Sequence, residues 1–317
     1  MKDYSPLDFK AVRTTDLDGR HSKVKVGAFA RPLKKGAALS DFFQGLPKIL
    51  AAADLQEAAA RIAAARAAGR PVILAMGGHV IKVGLGPLII DLVERGLIDG
   101  LAANGSVMVH DAEAALVGAT SEDVDATLGS GHFGVTAQTG ALINRAAREA
   151  ARAGEGLGHA LGQALIAQAP PFLPVSLLAA AVRLKRPLTI HAAIGTDVYN
   201  IHPEADGAAL GASSMHDFRI FCRMVSQLDG GVFINLGSAV IMPEVFLKAL
   251  TLVRNLGHQV GNLTTINMDF IRHYRPSVNV VGRPTQDGGR GFYFIGHHEI
   301  MFPLLMSQVL ERLPGEG

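Results

Sequence analysis

Residues Pro71 to Ser106 read PVILAMGGHVIKVGLGPLIIDLVERGLIDGLAANGS, and the architecture can be read from this stretch outward. Pro71 to Met76 is a short continuous apolar run, the pattern of a parallel strand buried on both faces, and it ends in Gly77-Gly78-His79. A helix follows over Pro87 to Arg95, with proline at its start and Gly96 at its end. Leu97 to Ala103 then reads as a second strand running into Asn104-Gly105-Ser106. Upstream, Asp54 with Glu57 makes a capping-box variant that opens an Ala-rich helix closed by Gly69 and Pro71.

The alternation returns downstream. Strands are expected over Leu188 to Ile194, Val232 to Leu236 and Leu263 to Asn267, with helices from about Met215 to Leu228 and over Pro243 to Asn255. Such alternation implies an α/β architecture: a doubly wound, mostly parallel sheet with helices on both faces. Ala164 to Val182, broken by Pro170, Pro171 and Pro174, reads as a loop, and Glu299 to Leu313 as an amphipathic segment packed against one edge. No linker separates two cores, so a single domain is expected over 40–317 behind an N-terminal extension over 1–39.

Composition narrows the function. In 317 residues, 49% are hydrophobic, enough for a sizeable core. The balance of 30 Lys+Arg against 28 Asp+Glu leaves +2, too little to mark a nucleic-acid partner, and no Trp is present for base stacking. A single cysteine, Cys222, excludes an intramolecular disulfide and a thiolate cluster; it lies in an expected helix as a buried, inert thiol and fits the cytoplasm. The charged N-terminal residues lack the apolar run of a signal peptide, and no stretch reaches the roughly 18 apolar residues of a membrane helix.

In an open parallel sheet, ligands bind beyond the carboxyl ends of the strands. The residues there are Gly77, Gly78 and His79; Asn104, Gly105 and Ser106, followed by His110 and Asp111; Thr196 and Asp197; Gly237 and Ser238; and Asn267 with Asp269. Small residues at these ends permit close backbone approach to a pyrophosphate, which points to a dinucleotide. Gly84-Leu85-Gly86 opens a dinucleotide fingerprint, but Ile89 stands where its third glycine belongs. No metal site is expected, because the histidines, among them His191, His202, His216 and His297-His298 before Glu299, follow no ligand spacing. Ser106 and Ser213-Ser214 lack the nucleophile elbow. Lys82 is the one amine near the first strand-end loop: it can form an imine, reach into solvent or pair with Asp91.

With these units laid out, the sequence resembles the deoxyhypusine synthase family. The segment Gly77 to Leu116 is similar in spacing to the family's first nucleotide-binding unit, Pro187 to Asp197 to its strand ending in Thr-Asp, and Leu236 to Asn255 to its Gly-rich strand-loop-helix. Ile266-Asn267 is similar to a later strand end, and Met301-Phe302-Pro303-Leu304-Leu305 resembles the last helix. The resemblance implies a Rossmann-like NAD-binding fold, a polyamine-handling transferase that passes an aminobutyl group through a lysine imine, and a homotetramer with sites shared between subunits.

The chain departs from that pattern. The family's catalytic lysine follows Arg-Pro in a Trp-Gly-Lys element; here Arg275-Pro276 leads to Gly282-Arg283, which places Arg283 at the lysine position with one residue deleted. Arginine stays protonated and forms no imine, and it suits a carboxylate or phosphate. Glu244 stands near the family's basic histidine. The expectation is therefore an NAD-dependent oxidation or group transfer on a small substrate, with Arg283 binding an anion and His110 or His202 as base. The alternatives are genuine deoxyhypusine or homospermidine synthesis with Lys82 as relocated lysine, and an inactive nucleotide-binding homologue. The cofactor scaffold the resemblance implies is Gly77, Gly78, His79, Asn104, Gly105, Ser106, Asp111, Thr196, Asp197, Gly237, Ser238, Asn267 and Asp269.

Overall fold

The computed structural model describes residues 1–313, and the chain divides into two compact units, 1–53 and 54–317. The first unit is mostly irregular, with one short helix, α1 (Leu39–Gly45), whose Phe43 is buried. Helix α2 (Leu50–Ala67) begins before the second unit, a full turn ahead of the expected start at Asp54, which lies inside it. Its Leu55, Ala58, Ala59 and Ile62 are buried at the 3–4 spacing of one helical face.

The second unit is built on strands β1 (Val72–Met76), β2 (Gly100–Asn104), β3 (Leu188–His191), β4 (Val232–Leu236), β5 (Thr264–Asp269) and β6 (Arg290–Ile295). All pairings are parallel, and the order across the sheet is β3-β2-β1-β4-β5-β6. The chain runs outward from β1 through β2 and β3, then returns to place β4 on the other side of β1. The order reverses there, so the crevice at the carboxyl ends of β1 and β4 is the topological switch point.

Around the sheet lie α3 (His79–Lys82), α4 (Gly86–Glu94), α5 (Gly105–Val117), α6 (Val124–Thr127), α7 (Ala137–Ala153), α8 (Leu157–Gln168), α9 (Leu177–Arg183), α10 (Gly207–Val225), α11 (Ile241–Asn255), α12 (Tyr274–Pro276) and α13 (His298–Leu310). Strand alternation sorts the core into two layers. Val72, Leu74 and Met76 of β1 pack with α2, α4, α5 and α13, whereas Ile73 and Ala75 face α10 and α11. In that second layer the rings of Phe233 and Phe246 stack at 3.7 Å.

Several expected boundaries are corrected. Only residues 169–176 of the expected loop, which include Pro170, Pro171 and Pro174, form a connection; α8 and α9 flank it, because the apolar residues on either side bury themselves against the sheet. Helix α10 starts at Gly207, capped by the Asp206 carboxylate, two turns before the expected Met215. The second strand begins at Gly100 rather than Leu97. Strand β6 was not expected: Gly291 and the charged Arg290 disguise its apolar Phe292 and Phe294. Helix α13 covers the sheet face at β5, with Phe302 and Leu305 buried in the main core, rather than an edge. No helix among the described residues is long and apolar enough to cross a membrane.

Candidate functional site

At the switch point the loops leaving β1 and β4 cross in direct contact. Gly77 continues the ladder by donating its N–H to the Leu236 carbonyl, and a Cβ at Gly77 would collide with the Gly237 carbonyl oxygen. Gly237 adopts φ 65°, and a side chain there would meet the His298 ring at 2.8 Å. His298, the first residue of α13, is fully buried, and both its ring nitrogens lack a hydrogen-bond partner among the described residues. Its Nε2 lies 3.6 Å from Asp269 Oδ1, and His273 Nε2 lies 3.6 Å from Asp269 Oδ2. His79 and Phe270 complete a cluster of rings about His298, with centroids 5.3 to 5.5 Å apart. Desolvation, then the neighbouring His298, holds the His79 pKa below its ordinary value.

Beneath this crevice, Asn235 donates to Asn267 Oδ1 at 2.6 Å and to the Ser238 carbonyl at 2.9 Å. Asn235 Oδ1 and Asn267 Nδ2 remain buried without partners among the described residues. The Ser238 hydroxyl accepts the Met242 N–H at 3.1 Å and so caps α11.

The neighbouring residue, Gly78, leads to a second compartment. A Cβ on Gly78 would lie 2.5 Å from Ser106 Oγ and 3.0 Å from His110 Cδ2, so the loop after β1 packs directly on the α5 residues that line this compartment. The compartment is a cavity of about 150 Å³ whose walls come from α3 (Lys82), α5 (Ser106, Val109, His110, Glu113), the long connection after α5 (Glu122, Val124, Phe133, Gly134, Thr136), α7 (Thr139, Gly140) and the loop after β3 (Thr196, Asp197, Val198, Tyr199). Ser106 and His110 stand four residues apart on α5 and therefore share a face.

His110 Nδ1 lies 2.8 Å from Thr120 Oγ1, and the Thr120 hydroxyl donates to Glu113 Oε2 at 2.5 Å. Although desolvation opposes it, the nearby His110 ring and the bond from Thr120 hold the Glu113 carboxyl below its ordinary pKa. Across the cavity, Asp197 accepts the Tyr199 hydroxyl at 2.6 Å and the Ala193 N–H at 3.0 Å. Burial raises the pKa of Asp197, and burial together with that carboxylate raises the pKa of Tyr199. Gly105 lacks a side chain where Asp197 and Tyr199 press against α5. Lys82 is exposed at the wall; Asp91 pairs instead with Arg95, one turn along α4.

The structure thus gathers Lys82, Ser106, His110, Thr196 and Asp197 around one cavity, and Gly77, Gly78, His79, Gly237, Ser238, Asn267 and Asp269 around the adjoining crevice. Asn104 is the last residue of β2, directly ahead of α5, its Oδ1 accepting the Ser106 hydroxyl at 2.8 Å.

Four other expected residues lie elsewhere. Asp111 is buried beneath α9, where it accepts the Ser176 hydroxyl at 2.6 Å and the Leu177 and Leu178 N–H groups; burial raises its pKa to about 6. His202 packs its ring over Gly140, and its Nδ1 accepts the Glu204 N–H at 3.1 Å. Glu244, in the first turn of α11, is held by Lys248, Arg275 and Asn279, and the Lys248 contact leads in depressing its pKa. Arg283 is exposed on the crossover between β5 and β6 and donates to Asn279 at 2.8 Å. Glu113, Thr120, Glu122, Phe133 and Tyr199 also reach the site, although none is singled out by sequence. Only Glu113, three residues after His110 on one helix face, left a readable signal.

No family model matches the chain, and the search of curated proteins finds no match. Solved structures do match. The ternary complex of AgrE with ornithine and NAD⁺ is 16% identical with a TM-score of 0.50, covering 81% of this chain and 32% of that one. A binary complex of an AgrE mutant with L-arginine gives 16% and 0.51, over 81% and 32%. An Entamoeba histolytica protein assigned as a deoxyhypusine synthase is 11% identical with a TM-score of 0.50, over 89% of this chain and 96% of that one. The chain spans about a third of the length of the first solved structures it matches. At these identities the likeness is one of architecture: the chain carries a deoxyhypusine-synthase-like, Rossmann-like α/β fold.

Proposed function

We propose that this chain is an enzyme that binds NAD across the carboxyl ends of β1, β4 and β5 and oxidises, or transfers a group from, a small substrate in the adjoining cavity. The observation that carries the proposal is the cavity lined by His110 and Lys82, set against the switch-point loop through the packing of Gly78 on Ser106 and His110. The crevice fits a dinucleotide in its unmet hydrogen-bonding capacity: both nitrogens of His298, Asn235 Oδ1 and Asn267 Nδ2 are buried without partners among the described residues. Asp269, His79 and Phe270 would hold the bound group from the β5 side. When bound, NAD supplies a hydride acceptor.

The chain's own residues do the rest. A carbon that loses hydride beside an oxygen or nitrogen must also lose a proton from that heteroatom, and His110 at the cavity wall is the group to accept it. Ser106 and Thr196 orient polar substituents. The apolar wall of Val109, Phe133 and Val198 excludes water. A cavity of about 150 Å³ holds a group on the order of a benzene ring, so a substrate of few heavy atoms is favoured. A homotetramer in the cytoplasm is the assembly and location that the family resemblance and the single cysteine support.

A second reading is favoured by Lys82, which has no ion-pair partner among the described residues and lines the same cavity as Glu113, Glu122 and Asp197. Three carboxylates suit a polyamine, and the lysine would trap its imine. One experiment covers both readings. The full chain is incubated with NAD and a panel of hydroxy acids, amines and spermidine, NADH formation is followed, and borohydride-trapped adducts are mapped by mass. NADH formation that disappears in His110→Ala supports the first reading. A spermidine-derived adduct on Lys82 supports the second, and neither product from any member contradicts both.

A further inference from the structure

We propose that Glu113 and Thr120 are positioning residues that fix His110 as its Nδ1–H tautomer, with the Nε2 lone pair left for the substrate proton. The inference rests on the assignment of His110 as proton acceptor and deepens it. It follows from counting hydrogens. An ionised carboxylate only accepts, and a threonine hydroxyl has one proton to give. That proton goes to Glu113 Oε2 at 2.5 Å, so Thr120 Oγ1 can meet His110 Nδ1, 2.8 Å away, only as acceptor. Nδ1 must then carry hydrogen, and in the neutral ring Nε2 does not. Nε2 has no hydrogen-bond partner among the described residues, and the His110 side chain is 13% exposed at the cavity wall.

Local structure builds this relay. Glu113 follows His110 by three residues on α5, which brings its Oε2 to 3.7 Å from Nδ1. Helix α5 ends at Gly118, whose φ of 71° reverses the chain and brings Thr120 back over the helix face. Nε2 would take the proton of the substrate's X–H bond, whose electron pair stays on X, and bound NAD would supply the acceptor for the hydride of the adjacent carbon. Glu113 stays ionised and faces the imidazolium through the Thr120 hydroxyl, so no second proton moves.

The test is ¹⁵N NMR of the histidine rings in the full-length protein, with His110 identified by the signal lost in His110→Asn. Wild type and Thr120→Ser are expected to show protonated Nδ1 and unprotonated Nε2. Thr120→Val should move the pair toward the Nε2–H form that free imidazole prefers. Glu113→Ala frees the hydroxyl to donate to Nδ1, so the two forms should mix. With any substrate that yields NADH, Thr120→Val should lower kcat about tenfold or more at unchanged KM, and Thr120→Ser should restore it. An Nε2–H wild type, or a tautomer indifferent to Thr120→Val, overturns the proposal. Full turnover in His110→Asn would instead overturn the proton-acceptor assignment, which keeps the two failures distinct.

Discussion

Asp111 on α5 accepts the backbone N–H of Leu177 at 2.7 Å, joining residues 66 positions apart in the chain. With the Ser176 hydroxyl and the Leu178 N–H on its other oxygen, the carboxylate caps α9 from inside the core. Replacement by Ala would strand these donors out of reach of water. Asp111→Ala should lower stability by about 3 kcal/mol in a urea titration. NAD affinity measured below the unfolding transition should be unchanged, whereas a selective loss of affinity would return Asp111 to the cofactor site.

Phe246 stacks on Phe233 at 3.7 Å with no exposed surface, at the centre of the layer between the sheet and α11. Phe246→Ala should cost about 3–5 kcal/mol, through lost transfer energy and the cavity left behind. A denaturation midpoint equal to that of wild type would mean that α11 does not pack there.

Asp217 is buried on α10, and its pKa rises to about 7, chiefly by desolvation, even though the Ile190, Gly158 and Leu157 N–H groups oppose the rise. Two of those bonds, at 2.8 and 3.0 Å, link the outward-facing edge of β3 and the start of α8 to α10. A carboxyl whose folded pKa lies above its unfolded value of 3.8 favours folding most when protonated. Its contribution is fully present below about pH 4 and is lost as pH rises through 7. Urea titrations of wild type and Asp217→Asn should therefore show the wild type losing ground between pH 5 and 7, by about 1.4 kcal/mol per pH unit. A difference that stays constant across this range would contradict the burial.

Lys82, His110 and Arg283 separate by position. The first two line the cavity, and the third stands exposed beside Asn279. His110→Ala should reduce NADH formation by about 10²–10⁴-fold with NAD affinity intact. Arg283→Ala should leave both within about twofold, as its exposed position beside Asn279 implies. Loss of turnover in Arg283→Ala would show that its crossover folds into the site.

Much of this fold was legible because its signals are local. The apolar run ending at Met76, the Gly77-Gly78 punctuation, Gly96 and the strands at Val232 and Thr264 each announce themselves within a few residues. Strand β6 did not, because Arg290, Gly291 and Tyr293 interrupt its apolar character, and its burial comes from β5 beside it and from the main core that Phe292 and Phe294 join. The site divided in the same way. Lys82, Ser106, His110 and Asp197 sit just past strand ends, where topology alone predicts a ligand. Thr120 and Tyr199 depend on how two long connections fold back over α5, and Asp111 is indistinguishable from a site residue until α9 is seen resting on it.

Occupation of the switch-point crevice by NAD is the step on which the rest depends, and calorimetric titration of the full chain with NAD reads it, in wild type and in Asp269→Ala. Saturable binding is expected at micromolar NAD in the wild type, weakened at least tenfold in the variant while thermal unfolding remains cooperative. Absence of a saturable heat at millimolar NAD in the folded wild type, or equal affinity in both proteins, would place the cofactor elsewhere or nowhere on this chain and so contradict the assignment.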